Sequence, residues 1–215
     1  MFNCTTEKYD DLYEPWLREP DTLLRFGSYK PGERLLDLCG GTGAVSRAAL
    51  HIGEGDGVKH SDITLVDINP RCKDTRVLQI PAKAENVGEL QPKSFDLVVC
   101  RQAMGYLDPA KVFSAVSTIL KPGGRFVFNT FSRPGWFRRK TYSHNGVWYL
   151  EVSFVIWRRI IHLQYKAGSG WDISIFKYHD SDFLTRLLTP WFHIEVQSHG
   201  RGLHWLCTRL PERET

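Results

Sequence analysis

Along the first 130 residues, short apolar runs alternate with amphipathic or glycine-rich stretches. This arrangement predicts strands interleaved with helices and loops in a mostly parallel sheet. Arg34–Leu38 is a short apolar run, Ala44–Ile52 carries apolar positions at helical spacing, and Ile63–Asp67 is a second apolar run. Arg76–Ile80 predicts a third strand and Phe95–Cys100 a fourth. Asp108-Pro109 opens a helix whose apolar face is Val112, Val116, Ile119 and Leu120. Lys121-Pro122-Gly123-Gly124 ends that helix, and Arg125–Thr130 predicts a fifth strand. Beyond residue 130 the period changes to two. Val147–Trp157, Ile160–Lys166 and Trp171–His179 are rich in Val, Ile, Trp and Tyr, and predict a three-stranded antiparallel meander. A helix over Ser181–Leu188, capped by Ser181, and two strands, Ile194–Gln197 and Leu203–Arg209, complete the pattern. The expected fold class is α/β: a seven-stranded sheet with an antiparallel insertion, residues 132–179, after strand 5. The 215 residues are expected to form one domain.

Composition narrows the class further. With 42% hydrophobic and 24% charged residues the chain is expected to be globular, and its scattered cysteines predict a reducing, cytoplasmic setting. No apolar run approaches the roughly 20 residues of a membrane helix, and no basic-then-apolar leader opens the sequence. Five scattered cysteines without a Cys-x-x-Cys pair argue against a disulfide framework or a metal site. The net charge of +4 conceals an asymmetry. Residues 1–120 hold 14 basic and 17 acidic side chains, net −3, whereas residues 121–215 hold 14 and 7, net +7. Six of the eight histidines also lie in the second part. An anionic partner or acceptor is the simplest account of that basic half.

The chemistry concentrates in Leu36-Asp37-Leu38-Cys39-Gly40-Gly41-Thr42-Gly43, between the first strand and its helix. Glycines here permit a tight turn and let a ligand approach bare backbone. Asp37 lies two positions before that loop, and Asp67 ends strand 2, where a carboxylate can accept from two ribose hydroxyls. In an open parallel sheet the ligand crevice lies at the carboxyl ends of strands 1 and 4, which brings in Arg101 and Gln102.

Together these features resemble the class I S-adenosylmethionine-dependent methyltransferases, in particular the small type 11-like group, over nearly the whole chain. The resemblance rests on the Asp-Leu-x-Gly-Gly-Thr-Gly loop, Asp67, Ala84-Glu85-Asn86, Ser94-Phe95-Asp96-Leu97-Val98-Val99 and Leu120-Lys121-Pro122-Gly123-Gly124. It implies a Rossmann-like fold and S-adenosyl-L-methionine as cofactor. Gly41 and Gly43 would contact the methionine part, Asp67 the ribose and Ala84 the adenine, with Asp37, Cys39, Gly40, Ile68 and Lys83 also at the cofactor. Arg101 and Gln102 would complete the crevice, and Tyr9 and Tyr13 resemble the aromatic segment that covers the cofactor. Three departures stand out. Cys39 replaces the first family glycine, and Lys83 replaces the acid beside the adenine, with Glu85 as a substitute acceptor. Only Ile68–Thr75 separates strand 2 from strand 3, too short for the usual crossover helix.

Other readings of the same residues compete. A nicotinamide-binding domain would need Gly or Ala where Ser46 stands, and a second substrate domain. Cys100 lies where cytosine-5 methyltransferases carry a nucleophile, but Val99-Cys100-Arg101 lacks the preceding proline, which favours a buried thiol. The basic run Arg133, Arg138, Arg139 and Lys140, with Trp136 and Phe137, reads as a solvated linker or a nucleic-acid patch. The expected reaction is methyl transfer to an oxygen or nitrogen of a small metabolite. Candidate acceptor-side residues are Gln102, Tyr106, Arg133 and His144. An RNA methyltransferase and a non-catalytic scaffold subunit are the alternatives.

Overall fold

A computed structural model of the chain describes residues 18–53, 62–131, 137–144, 147–156, 159–168, 170–199 and 202–211. The elements in chain order are α1 (Arg18–Phe26), β1 (Leu35–Leu38), α2 (Ala44–Ile52), β2 (Ile63–Asp67), β3 (Leu78–Pro81) and β4 (Phe95–Cys100). They continue with α3 (Pro109–Ile119), β5 (Leu120–Phe131), β6 (Phe137–His144), β7 (Val147–Ile156), β8 (Arg159–Lys166) and β9 (Gly170–Lys177). The last are α4 (Ser181–Leu188), β10 (Phe192–His199) and β11 (Gly202–Arg209). Short 3₁₀ turns over Ala84–Glu89 and Met104–Tyr106 follow β3 and β4.

Seven strands form one sheet in the order β10-β11-β5-β4-β1-β2-β3. The five from β5 to β3 are parallel, and β11 joins antiparallel to β5 and to β10. This is the expected Rossmann-like α/β sheet. Its central strands are largely apolar because both faces are covered. Along β4, Val98 and Cys100 belong to a core that holds Phe113, Phe126, Phe128 and Trp205, while Leu97 and Val99 belong to another with Leu23, Leu24, Val45 and Ala49. Phe128 and Trp205 stack at 5.5 Å between ring centroids, which locks β11 against β5.

Five details differ from the sequence expectation. The insertion after β5 is antiparallel as expected, but it is a four-stranded sheet, β6-β7-β8-β9, not a three-stranded one. The run Arg138-Arg139-Lys140, expected as linker or nucleic-acid patch, lies within β6, paired with Ser153, Val152 and Glu151 of β7. Its polar alternation hides a strand that exists because β7 offers an edge. The third strand starts at Leu78 instead of Arg76, since Arg76 donates from its backbone to Asp74 Oδ1 (2.9 Å) and pairs with the same carboxylate (2.7 Å) in a turn. Strand 5 begins at Leu120, directly after α3, with a register shift opposite Phe95 and Leu97. The cap of α4 is Asp180, whose Oδ1 accepts from Phe183 N at 2.8 Å, and not Ser181. The shortened crossover between β2 and β3 holds as expected, with no helix between Ile68 and Val77.

Candidate functional site

At the carboxyl ends of β1, β2 and β4 lies a cleft of about 1200 Å³. Its floor is Asp37, Cys39, Gly40 and Gly41; one wall is Asp67, Ile68 and Lys83 to Asn86; the other is Arg101 to Ala103. The start of α3, with Asp108, Lys111 and Ser114, closes the far side together with Tyr106 and Leu107. The volume exceeds the usual range for one small ligand and accommodates two reactants side by side.

The chain leaves β1 through a left-handed turn. Cys39 has φ +59°, a conformation that glycine adopts freely and a β-carbon resists, which explains why the related loop has glycine there. The cost is offset by Cys39 N–H donating to Val66 O at 2.7 Å. The next three glycines differ in what they face. A β-carbon on Gly40 would lie 2.7 Å from Asp37 Cγ and Leu65 Cγ, and one on Gly43 would lie 2.6 Å from Cys72 Sγ. On Gly41 (φ +52°) it would meet nothing within 4 Å and would project into open space beside the cleft. Gly41 is therefore the bare backbone of the floor, while Gly43 is a packing position outside the lining. Cys72 comes from the short β2–β3 crossover, so that segment braces the loop from behind.

Two carboxylates hold the floor in shape. Asp37 is buried and accepts from Ser46 twice, at N (3.0 Å) and at Oγ (2.7 Å), which ties β1 to the first turn of α2. Burial raises its pKa, while the Ser46 bonds and the charge of Arg101 oppose that rise. Asp67 Oδ2 accepts from Gly41 N (3.0 Å) and Oδ1 from Asn69 N (2.9 Å). Each oxygen keeps a further lone pair for a ligand hydroxyl. On the opposite wall Gln102 also holds a left-handed conformation, φ +55°, and donates from its backbone to Oδ1 of the buried Asn129 at 2.6 Å. Strained non-glycine residues thus end both β1 and β4, the neighbouring strands that flank the crevice.

Of the sequence candidates, Asp37, Cys39, Gly40, Gly41, Asp67, Ile68, Lys83, Ala84, Arg101, Gln102 and Tyr106 line this one cleft. Tyr9, Tyr13 and Arg133 lie outside the described residues, and for His144 the structure describes the backbone of β6 alone. Cys100 is fully buried. A hydrogen bond with the Cys39 thiol and burial push its own thiol well above the usual range, so it stays protonated and fits the buried reading. Glu85 Oε1 accepts from Asp108 N at 3.2 Å and so steadies the start of α3. The sequence reading missed Asp108, Lys111 and Ser114. Asp108 is the cap of α3, and Lys111 and Ser114 are polar positions three apart on it, a signal available in the sequence.

The sequence profile of a family described as "Methyltransferase domain" matches residues 11–202. The chain belongs to that family. Its fold is that of the S-adenosylmethionine-dependent methyltransferases of known structure. Among solved structures, an S-adenosylmethionine-bound amino pentose methyltransferase from Micromonospora echinaspora is 20% identical. It has a TM-score of 0.69 and covers 97% of this chain and 98% of its own. An S-adenosylmethionine-dependent methyltransferase from Clostridium acetobutylicum, 16% identical, gives 0.68 with 97% and 99% coverage. A ubiquinone biosynthesis O-methyltransferase from Xanthomonas campestris is 31% identical over 114 residues, 48% of this chain and 45% of that protein. Its counterpart from Paraburkholderia phymatum is 29% identical over 106 residues, 47% and 46% respectively. The methyltransferase thus matches about half the length of these curated relatives. Among its described residues no helix is long and apolar enough to cross a membrane.

Proposed function

We propose that this methyltransferase binds S-adenosylmethionine along the floor of the cleft and methylates a hydroxyl oxygen of a small acceptor. The carrying observation is the pairing of the open Gly41 backbone with the fixed Asp67 carboxylate, 3.0 Å apart at the carboxyl ends of β1 and β2. The fit to the cofactor is chemical. A bare glycine admits the methionine part beside Cys39 and Gly40, and the two oxygens of Asp67 suit two vicinal ribose hydroxyls. Ile68 and Ala84 offer apolar contact to the adenine, with Lys83 at its edge.

The cofactor supplies an activated methyl group on a sulfonium centre. The chain's part is to hold the acceptor in line with it, which can lower a barrier by about 7–11 kcal/mol. Gln102 and Tyr106 border the acceptor side, with Asp108 and Lys111 behind them. A hydroxyl must lose its proton as it reacts, and Asp108 is the half-exposed carboxylate of that wall, 4.0 Å from Lys111 Nζ. Lys111 and Lys83 give the cleft cations suited to an anionic acceptor. The hydroxyl assignment is supported by the O-methyltransferase names of the curated relatives. No described feature favours an RNA acceptor or a scaffold role; the shortened crossover braces the loop instead of weakening it.

Incubation of the purified protein with methyl-labelled S-adenosylmethionine and a small-molecule extract tests this reading. The expected label stays soluble after acid precipitation and is released by ether-cleaving, not amide-cleaving, chemistry. Label confined to precipitated RNA or protein, or none above a heat-killed control, would overturn it.

A further inference from the structure

Two thiols meet beneath the floor of the cleft. β1 and β4 are neighbours with Asp37 opposite Val99, so Leu38 falls beside Cys100 and Cys39 lies one step beyond. A strand spacing of about 4.8 Å and a rise of about 3.3 Å put the two Cα atoms about 6 Å apart, inside the span of roughly 4.4–6.8 Å that a disulfide bridges. Their side chains reach the same core: Cys39 packs on the cluster that contains Cys100, and the two thiols are hydrogen-bonded. The partners differ in access. Cys100 is fully buried and accepts a further bond from Ala103 N–H, whereas Cys39 is half-buried and, alone among the described cysteines, lines the cleft. Packing alone gives no reason for a β-carbon at the φ of +59° that Cys39 adopts, since glycine is free of that strain.

We propose that Cys39 and Cys100 form a reversible oxidation site, in which hydrogen peroxide admitted by the cleft converts the thiol pair into a disulfide that disables the cofactor floor. In the first step the Cys39 sulfur attacks one peroxide oxygen and the O–O bond breaks. The thiol proton leaves with the departing hydroxide as water, and Cys39 becomes a sulfenic acid. In the second step the Cys100 sulfur attacks the Cys39 sulfur and the S–O bond breaks. The Cys100 proton goes to the departing hydroxide as a second water. Two electrons have then passed from the sulfurs to the peroxide, and a dithiol reductant returns them. A buried, protonated thiol is inert on its own; Cys100 resolves the sulfenic acid because Cys39 lies in contact with it. The new bond ties the end of β1 to the end of β4, the two strands that flank the crevice. Gly40 and Gly41 follow Cys39 directly, and Gly41 N is the donor that fixes Asp67 at 3.0 Å, so a shift of Cys39 reaches both parts of the floor. Transient disulfides of this kind occur in reducing compartments. The effect on the floor rests on the cofactor reading above; the cross-link itself does not.

The full chain, reduced and then exposed to a small excess of hydrogen peroxide, is alkylated in denaturant and mapped by peptide mass spectrometry. The expected product is a pair of peptides joined through Cys39 and Cys100, which dithiothreitol separates. In Cys100→Ala the same treatment leaves the Cys39 sulfenic acid, trapped by dimedone, and no cross-link. Calorimetric titration is expected to show affinity for S-adenosylhomocysteine about tenfold or more weaker in the oxidised wild type, restored by dithiothreitol. Linkage then requires S-adenosylhomocysteine to raise the reduction potential of the pair by about 30 mV or more in a glutathione redox buffer. The inference is overturned if both thiols stay open to alkylation, if Cys39 pairs with another cysteine, or if the disulfide leaves the affinity unchanged. A reduced wild type that fails to bind S-adenosylhomocysteine would sink the cofactor reading, and the cross-link would still decide whether the oxidation site exists.

Discussion

Gly41 and Gly43 lie two residues apart in one loop and both have left-handed backbones, φ +52° and +79°. Alanine at each should nevertheless fail in different ways. At Gly43 the new β-carbon meets Cys72 Sγ at 2.6 Å, Cys72 Cβ at 2.9 Å and a Leu65 methyl at 3.2 Å. Rotating the Cys72 side chain moves the sulfur but leaves its β-carbon in place, so the loop or the crossover must shift. Left-handed strain contributes about 1–2 kcal/mol and overpacking about 1–3 kcal/mol, which makes Gly43→Ala destabilising by about 2–5 kcal/mol. Gly41→Ala incurs the strain alone, because nothing lies within 4 Å of its β-carbon. It should lose about 1–2 kcal/mol of stability. Its methyl, however, occupies the floor where the cofactor approaches. Urea denaturation followed by tryptophan fluorescence ranks the two for stability, and calorimetric titration with S-adenosylhomocysteine ranks them for affinity. The expected pattern is a crossed one. Gly43→Ala is the less stable, and Gly41→Ala loses about tenfold or more in affinity while remaining folded. Equal destabilisation, or a Gly41→Ala variant that binds as the wild type does, would refute the assignment of one glycine to packing and the other to the ligand.

Two further outcomes follow from buried polar groups. Among the described residues the buried Tyr29 hydroxyl finds no hydrogen-bond partner, and burial, then the charges of Glu33 and Asp62, raises its pKa to about 12. The folded state therefore holds this proton longer than the unfolded one. Stability is unaffected below about pH 10 and falls between about pH 10 and 12, by on the order of 2 kcal/mol; Tyr29→Phe should flatten that alkaline limb in thermal melts. Asn129→Leu leaves the Gln102 N–H without its acceptor beside a strained turn. A loss of about 1–3 kcal/mol and weaker S-adenosylhomocysteine binding are expected, with Asn129→Asp restoring both because its carboxylate can accept the same bond.

Much of this arrangement is legible in the sequence, and the gaps have physical causes. The parallel core strands announce themselves because burial on both faces makes Ile63–Asp67 and Phe95–Cys100 nearly uniform in polarity, and both occupy the expected spans. β6 does not, since Arg138-Arg139-Lys140 lacks any apolar signal and becomes a strand only by pairing with β7. The loop glycines are visible as a group, but what each one faces depends on Cys72, 29 positions beyond Gly43 and placed by the β2–β3 crossover. Asp180 and Ser181 are both good caps side by side, and the choice rests on which backbone leaves the helix first. Asp67 was identifiable from its position alone; the bonds from Gly41 N and Asn69 N that fix its carboxylate were not.

The central claim is that Asp67 and the glycine floor form the cofactor site. It is tested most directly by titrating S-adenosylhomocysteine into the wild type and into Asp67→Ala, with the fold of each checked by circular dichroism. One site per chain is predicted in the wild type, with affinity lowered about 100-fold or more in the variant, the scale of two lost charge-assisted hydrogen bonds. A folded Asp67→Ala protein that binds with wild-type affinity would contradict it.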